Sequence, residues 1–234
     1  MRIIILDTET TGLPIGRNPP ITTPALWPHI VQFSYIIFNT ETNDLENTID
    51  CIIKLPEDII MDAKCVEIHG ISNEISARYG ISIGGVLSTF LEDLNRVDLV
   101  VAHNMDFDKN VILAELIRTR SLYKIHSSSY EYLDNQITEL IHSSKLYCTM
   151  QESTDLCKIV RMNKFKQPYH KFPTLSELHI HLFGQTPQKL HNALNDVIIC
   201  FRCFYKMKFD RDICDINSGI ETMIEPLLFI PSAI

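Results

Sequence analysis

No stretch of this sequence approaches the roughly 18 consecutive apolar residues needed to cross a bilayer, and its opening MRIIILDTET turns acidic too soon for a secretory signal. The expectation is therefore a soluble, intracellular protein of the cytoplasm or nucleus, with no membrane partner. Paired cysteines are missing as well: seven cysteines, odd in number and irregular in spacing, lack the pattern of a disulfide framework, and free thiols in a reducing compartment are expected. Positive charge is scarce. With 21 Lys and Arg against 29 Asp and Glu the formal net charge is −8, which argues against a chain that coats a polyanion, because such affinity rests on cations meeting phosphates. Two divalent cations held by carboxylates would bring that charge to about −4 and make their site attractive to phosphate. The deficit is also uneven. Residues 156–176 contain no acid, and there Lys158, Arg161, Lys164, Lys166 and Lys171 alternate with Phe165, Tyr169, His170 and Phe172. That interleaving could track a single nucleic-acid strand; a solvated loop is the plainer reading.

A chain of 234 residues that is 45% hydrophobic can bury one sizeable core. No internal repeat divides it. Residues 2–6 form an apolar, isoleucine-rich run ending at Asp7, as a buried strand does. Residues 31–37 alternate Val31, Phe33, Tyr35 and Ile37 with Gln32 and Ser34, and residues 49–55 are β-branched enough for a third strand of an antiparallel meander. Ile83, Val86, Leu87, Phe90, Leu91 and Leu94 fall at helical spacing, followed by a strand at 98–102 and a helix at 107–118. Residues 121–145 are polar and irregular and read as an insertion. A strand at 145–149, a helix running to 159, a helix from Thr174 to Gly184 and a long final helix complete the expected α/β order. We expect a domain over residues 1–208 and a C-terminal tail over 209–234, used for packing or docking.

Asp7 and Glu9 are two apart after a strand, so both project to one side of the pleat. Adjacent carboxylates repel, and a shared divalent cation keeps both charged near a core. Asp196 lies in an apolar helical stripe with no Lys or Arg at i±3 or i±4; a buried carboxylate there needs a partner from elsewhere. His191 precedes that helix. In His103-Asn104-Met105-Asp106-Phe107-Asp108, the last acid shares the inward face of Val111 and Ile112, whereas Asp106 is better placed to cap the helix. Acids at strand ends and helix starts fit a two-metal layout. Cys200 and Cys203 share a helical face but lack a second ligand pair, so buried packing is expected rather than zinc. His179 and His181 are expected to be structural.

These residues resemble the motifs of the DEDDh exonuclease family, which includes the proofreading epsilon subunit of bacterial DNA polymerase III, the three-prime repair exonucleases and oligoribonuclease. Asp7-Thr8-Glu9-Thr10-Thr11-Gly12-Leu13 is similar to the first motif, His103-Asn104-x-x-Phe107-Asp108 to the second and His191-x-x-x-x-Asp196 to the third, in the same order. Ile68-His69-Gly70-Ile71-Ser72 resembles the family's His-Gly-Ile segment. The resemblance covers about residues 1 to 208. It implies a ribonuclease H-like fold, a mixed five-stranded sheet with helices on both faces. It further implies a 3′→5′ exonuclease working by two-metal catalysis and releasing nucleoside 5′-monophosphates, in proofreading or repair. Asp7, Glu9, Asp108 and Asp196 would hold two Mg²⁺ or Mn²⁺, His191 would be the general base, and Thr10, Thr11, Gly12, Leu13, His69, Asn104 and Phe107 would hold the terminal nucleotide. The implied partners are single-stranded or frayed 3′ ends of DNA and a polymerase or replication protein. An exoribonuclease trimming RNA ends uses the same five residues, and an inactive module that binds strand ends is the reading from another class.

Overall fold

A computed structural model describes residues 1–122, 135, 138, 140 and 145–228. Strands β1 (Arg2–Thr10), β2 (Ile30–Asn39), β3 (Asp44–Ile52), β4 (Leu99–Ala102) and β5 (Leu146–Cys148) form one sheet in the order β3, β2, β1, β4, β5. β2 runs antiparallel to both β1 and β3, whereas β4 and β5 run parallel to β1. This is the expected ribonuclease H-like fold. The apolar residues of β1 alternate between two cores because successive side chains leave opposite faces of a sheet. Ile4 and Leu6 join Phe33, Tyr35 and the helices α3 (Ile83–Leu94) and α4 (Met105–Leu122). Ile3 and Ile5 join Ile36, Phe38 and the helix α8 (Ala193–Phe209).

Several expectations need correction. β1 runs on to Thr10 because β2 continues to pair beside it, with Asp7 opposite Ser34 and Glu9 opposite Gln32, so the first two acids lie within the strand rather than after it. β3 starts at Asp44, earlier than expected, since an edge strand covered on one face alternates exposed and half-buried residues instead of showing an apolar run. Two helices, α1 (Ala63–His69) and α2 (Asn73–Tyr79), were not expected at all; each is two turns long and buries almost nothing. The helix expected to reach 159 is two single turns, α5 (Thr149–Glu152) and α6 (Thr154–Cys157), separated at Ser153, whose hydroxyl bonds back to the Thr149 carbonyl at 2.6 Å. Beyond them is a hairpin of β6 (Val160–Met162) and β7 (Pro168–His170). Then α7 (Leu175–Phe183) begins with a capping box between Thr174 and Glu177.

The insertion expected at 121–145 lies for the most part outside the described residues, as do residues 229–234. The described part of the C-terminal segment packs: Ile213 and, from α9 (Ser218–Leu228), Ile220, Ile224 and Leu227 are buried in the same core as α8. Arg202 of α8 adds an ion pair there, meeting the Asp212 carboxylate at 2.6 and 3.1 Å and lying 4.0 Å from the centre of the Phe183 ring. Cys200 and Cys203 are buried among these apolar side chains. His179 is buried as well, between the Gln185 carbonyl at 2.8 Å and Arg202 at 3.2 Å. No helix among the described residues is long and apolar enough to cross a membrane.

Candidate active site

The alternation that feeds two cores also sorts the polar end of β1. Asp7 and Glu9 continue the line of Ile3 and Ile5, toward the α8 side, while Thr8 continues that of Ile4 and Leu6, toward α4. Asp196, in the first turn of α8, therefore stands near Asp7 and Glu9, and Thr8 meets Asp108 in the first turn of α4. The Thr8 amide and hydroxyl both donate to Asp108 Oδ1, at 3.1 and 2.8 Å. Asp108 is 3% exposed, whereas Asp106 points outward to Lys109 and Gln151.

Four carboxyls thus meet at the ends of β1 and β4 with no Lys or Arg among them. Burial raises the pKa of Asp7 well above the ordinary carboxyl range, and the charges of Asp108, Asp196 and Glu9 push it further. Burial, then Asp196 and Asp108, lift Glu9 to about 8. Asp108 is lifted to about 7 by burial, against the opposing Thr8 bonds. Asp196 is lifted to about 7 by burial, opposed by the His191 amide. That amide donates to Asp196 Oδ2 at 3.2 Å, while Asp196 Oδ1 is buried with no hydrogen-bond partner among the described residues. A buried acceptor without a donor is costly in a protein alone and is the donor atom a hard cation requires. One ligand atom each from Glu9, His191 and Asp196 lies within 4.8 Å of the others.

His191 is exposed and has a left-handed backbone, φ 68°. It stands just before Asn192, whose side chain caps α8 by accepting from the Asn195 amide. Of the residues expected around a terminal nucleotide, Thr10 is buried with its hydroxyl donating to the Gly12 carbonyl at 2.7 Å, and Leu13 projects into solvent, 82% exposed. His69 ends α1; its Nδ1 accepts from the Ile71 amide at 3.1 Å, and its Nε2 is buried. Burial lowers the His69 pKa, offset in part by the Thr10 backbone beside it. Asn104 and Phe107 lie at the start of α4, exposed and half-buried, with the Asn104 carbonyl accepting from the Phe107 amide at 2.8 Å.

A family model described as exonuclease, RNase T, matches residues 4–204, the span that holds every one of these groups. The chain belongs to the RNase T exonuclease family. Solved structures agree on the architecture. Exonuclease I in the structure that "suggests how processivity is achieved" is 18% identical with a TM-score of 0.61, over 92% of this chain and 42% of that one. Exonuclease I of E. coli in complex with a dA16 oligonucleotide is 17% identical with a TM-score of 0.57, over 94% and 45%. Exonuclease I of Methylocaldum szegediense is 16% identical with a TM-score of 0.58, over 92% and 42%. This RNase T exonuclease chain thus spans less than half the length of the exonuclease I chains it matches. No curated protein matches it by sequence.

Three supports of the acidic cleft escaped sequence reasoning. Gln32, taken as the polar partner in an alternating strand, is buried; it accepts the Ala193 amide at 3.1 Å and donates to Asp50 at 2.7 Å, so it fixes the start of α8. His103, with a pKa lowered by burial to about 4, bridges the Thr149 hydroxyl at 3.0 Å and the Pro173 carbonyl at 3.1 Å. Glu115, 3% exposed, gathers His29 Nδ1, the Ile30 amide and Arg118, and Arg118 also donates to the carbonyls of Pro24, Trp27 and Pro28. The Thr11 amide donates to the His29 carbonyl at 2.9 Å, so this strap holds the loop after β1. The pairing of Glu115 with Arg118 at i+3 was visible in the sequence; that it is buried was not.

Proposed function

We propose that the chain is a divalent-metal-dependent 3′→5′ exonuclease that removes nucleotides from single-stranded or frayed DNA ends. The observation that carries this is the cluster of Asp7, Glu9, Asp108 and Asp196, raised together in pKa, with one carboxylate oxygen of Asp196 buried and unpartnered. An all-carboxylate donor set suits Mg²⁺ or Mn²⁺ better than zinc. Two such cations, when bound, supply an activated water and neutralise charge on the scissile phosphate and the departing 3′-oxygen. Asp7, Glu9, Asp108 and Asp196 would hold those cations. His191, exposed and tethered through its amide to Asp196, takes the proton of the attacking water as general base.

The terminal nucleotide lies against Thr10, Thr11, Gly12 and Leu13, with His69 beside Thr10, and with Asn104 and Phe107 on the other wall. An exposed Leu13 fits a role against a base that becomes covered only when substrate is present. DNA is favoured by the dA16 complex of E. coli exonuclease I, which shares this fold. We place the catalytic module in residues 1–208, a polymerase or replication protein among its partners, and proofreading or repair as its setting.

The test is incubation of wild type and Asp7→Ala with 5′-labelled single-stranded DNA and RNA of matched sequence, in Mg²⁺, Mn²⁺ or EDTA. Shortening of DNA from its 3′ end by wild type alone, stopped by EDTA, is the expected result. Preference for RNA replaces DNA by RNA as substrate. Binding without cleavage under any metal overturns the catalytic reading.

A further inference from the structure

We propose that the β6–β7 hairpin is a second nucleic-acid contact, a platform on which the single strand lies on the 5′ side of the reacting terminus. This rests on the nuclease reading of the acidic cleft and goes beyond it, because none of the cleft residues belongs to the hairpin.

The first support is chemical. Residues 156–176 carry no acid in a chain of net charge −8. Lys158, Arg161, Lys164 and Lys166 form no ion pair among the described residues, whereas Lys171 is held by Glu177 at 2.7 Å. Four cations without acidic partners are the groups a phosphate backbone would meet. The second support is exposure. Val160, Met162, Phe165, Tyr169 and Phe172 are all outside both main cores, Phe165 being 70% exposed. A base can stack on an exposed ring whatever its identity, and Lys164 Nζ already lies 5.0 Å from the centre of the Phe165 ring.

The third support is that the platform is built. Two strands of three residues, exposed on both faces, gain little from burial, yet this hairpin has a closed turn. The Asn163 side chain accepts from the amides of Phe165 and Gln167 at 2.9 and 3.0 Å, and the Asn163 amide donates to the Gln167 carbonyl at 2.9 Å. Arg161 pairs across the strands with Tyr169, so a cation and a ring share one face. The fourth support is place. Strands β1, β4 and β5 are parallel, so the half of β1 that bears Asp7, Asn104 after β4 and the segment that leads from β5 to the hairpin lie toward the same end of the sheet. The foot of the hairpin is tied there by the bond between Pro173 and His103, the neighbour of Asn104.

The experiment measures affinity of the full chain for a fluorescent 20-nucleotide single strand in EDTA across salt concentrations, and, in Mg²⁺, hydrolysis of that strand and of a trinucleotide. Three proteins are compared: wild type, Arg161→Ala/Lys164→Ala/Lys166→Ala, and Phe165→Ala/Tyr169→Ala. All altered side chains are exposed, and unchanged melting temperatures show that the variants fold. The charge variant should lose affinity and flatten the log–log salt dependence by about 2, at roughly 0.7 per phosphate contact on a single strand. The ring variant should lose at least about 30-fold in affinity, two stacking rings at roughly 1 kcal/mol or more each, with the salt slope unchanged. Trinucleotide hydrolysis should match wild type in both. The proposal is overturned if both variants bind the long strand as wild type does, which would leave the hairpin to a protein partner, or if trinucleotide hydrolysis falls in proportion. Hairpin-dependent binding by a wild type that hydrolyses neither substrate would instead sink the nuclease reading and leave the platform standing.

Discussion

At the scale of single residues, the acidic cleft is arranged at a cost to the metal-free protein. A carboxyl whose folded pKa stands above its unfolded value adds no penalty while both states are protonated, and destabilises the fold as pH climbs past the unfolded value of about 4. The penalty stops growing once the folded value is passed, about 7 for Asp196 and about 8 for Glu9. Asp196→Asn removes one of the repelling charges. In EDTA the variant should melt close to wild type at pH 4 and above it by pH 8, the gap opening between about pH 4 and 7; a wild type more stable at pH 8 would refute the sign. Magnesium should reverse the order by stabilising wild type alone, since cation binding to the native state adds to its stability. His191 makes a different prediction. As a base rather than an anchor, its replacement by Ala should lower kcat by about 10²- to 10⁴-fold while the magnesium-induced rise in melting temperature is kept. Loss of that rise along with activity would make the imidazole a ligand.

At the scale of elements, the strap from α4 to the loop after β1 supports the side of the cleft where we propose that the terminal nucleotide lies. Arg118 holds three carbonyls of residues 24–28 and the buried Glu115. Arg118→Ala leaves that carboxylate short of its cation, a loss of about 3 to 5 kcal/mol for a broken buried pair, or on the order of 10 °C in melting temperature for a chain of this size. Because Thr11 is bonded to His29, KM for a trinucleotide should rise more than kcat falls; a pure stability loss with unchanged KM would mean that the strap does not position the loop. Elements of this kind mark the limit of what sequence shows. The apolar run of β1, the helical spacing of α3 and the stripe of α8 were legible because each buries a continuous face. The acids were legible because charges interrupt those faces. Edge strand β3 and the short helices α1 and α2 bury too little to imprint a period. Gln32 reads as an ordinary outward polar residue, and only the packing of α8 across β2 turns it into a tether.

At the scale of the whole molecule, the C-terminal segment decides whether the catalytic module can stand alone. A docking tail is dispensable for folding, whereas a closing element is not. Ile213, Ile220, Ile224 and Leu227 are each buried to within a few per cent in the core that they share with α8. At roughly 1.5 to 3 kcal/mol for each aliphatic side chain, their removal forfeits about as much as the 5 to 15 kcal/mol that holds a typical domain together. The cut would also strip Asp212 from Arg202, leaving a guanidinium in a largely apolar setting beside Phe183. Deletion of residues 210–234 should therefore give an insoluble or unfolded chain, seen as loss of a cooperative melt and of nuclease activity together. If the deletion melts cooperatively and cleaves as the full chain does, the segment is an appendage, and a search for the protein it binds becomes the next step.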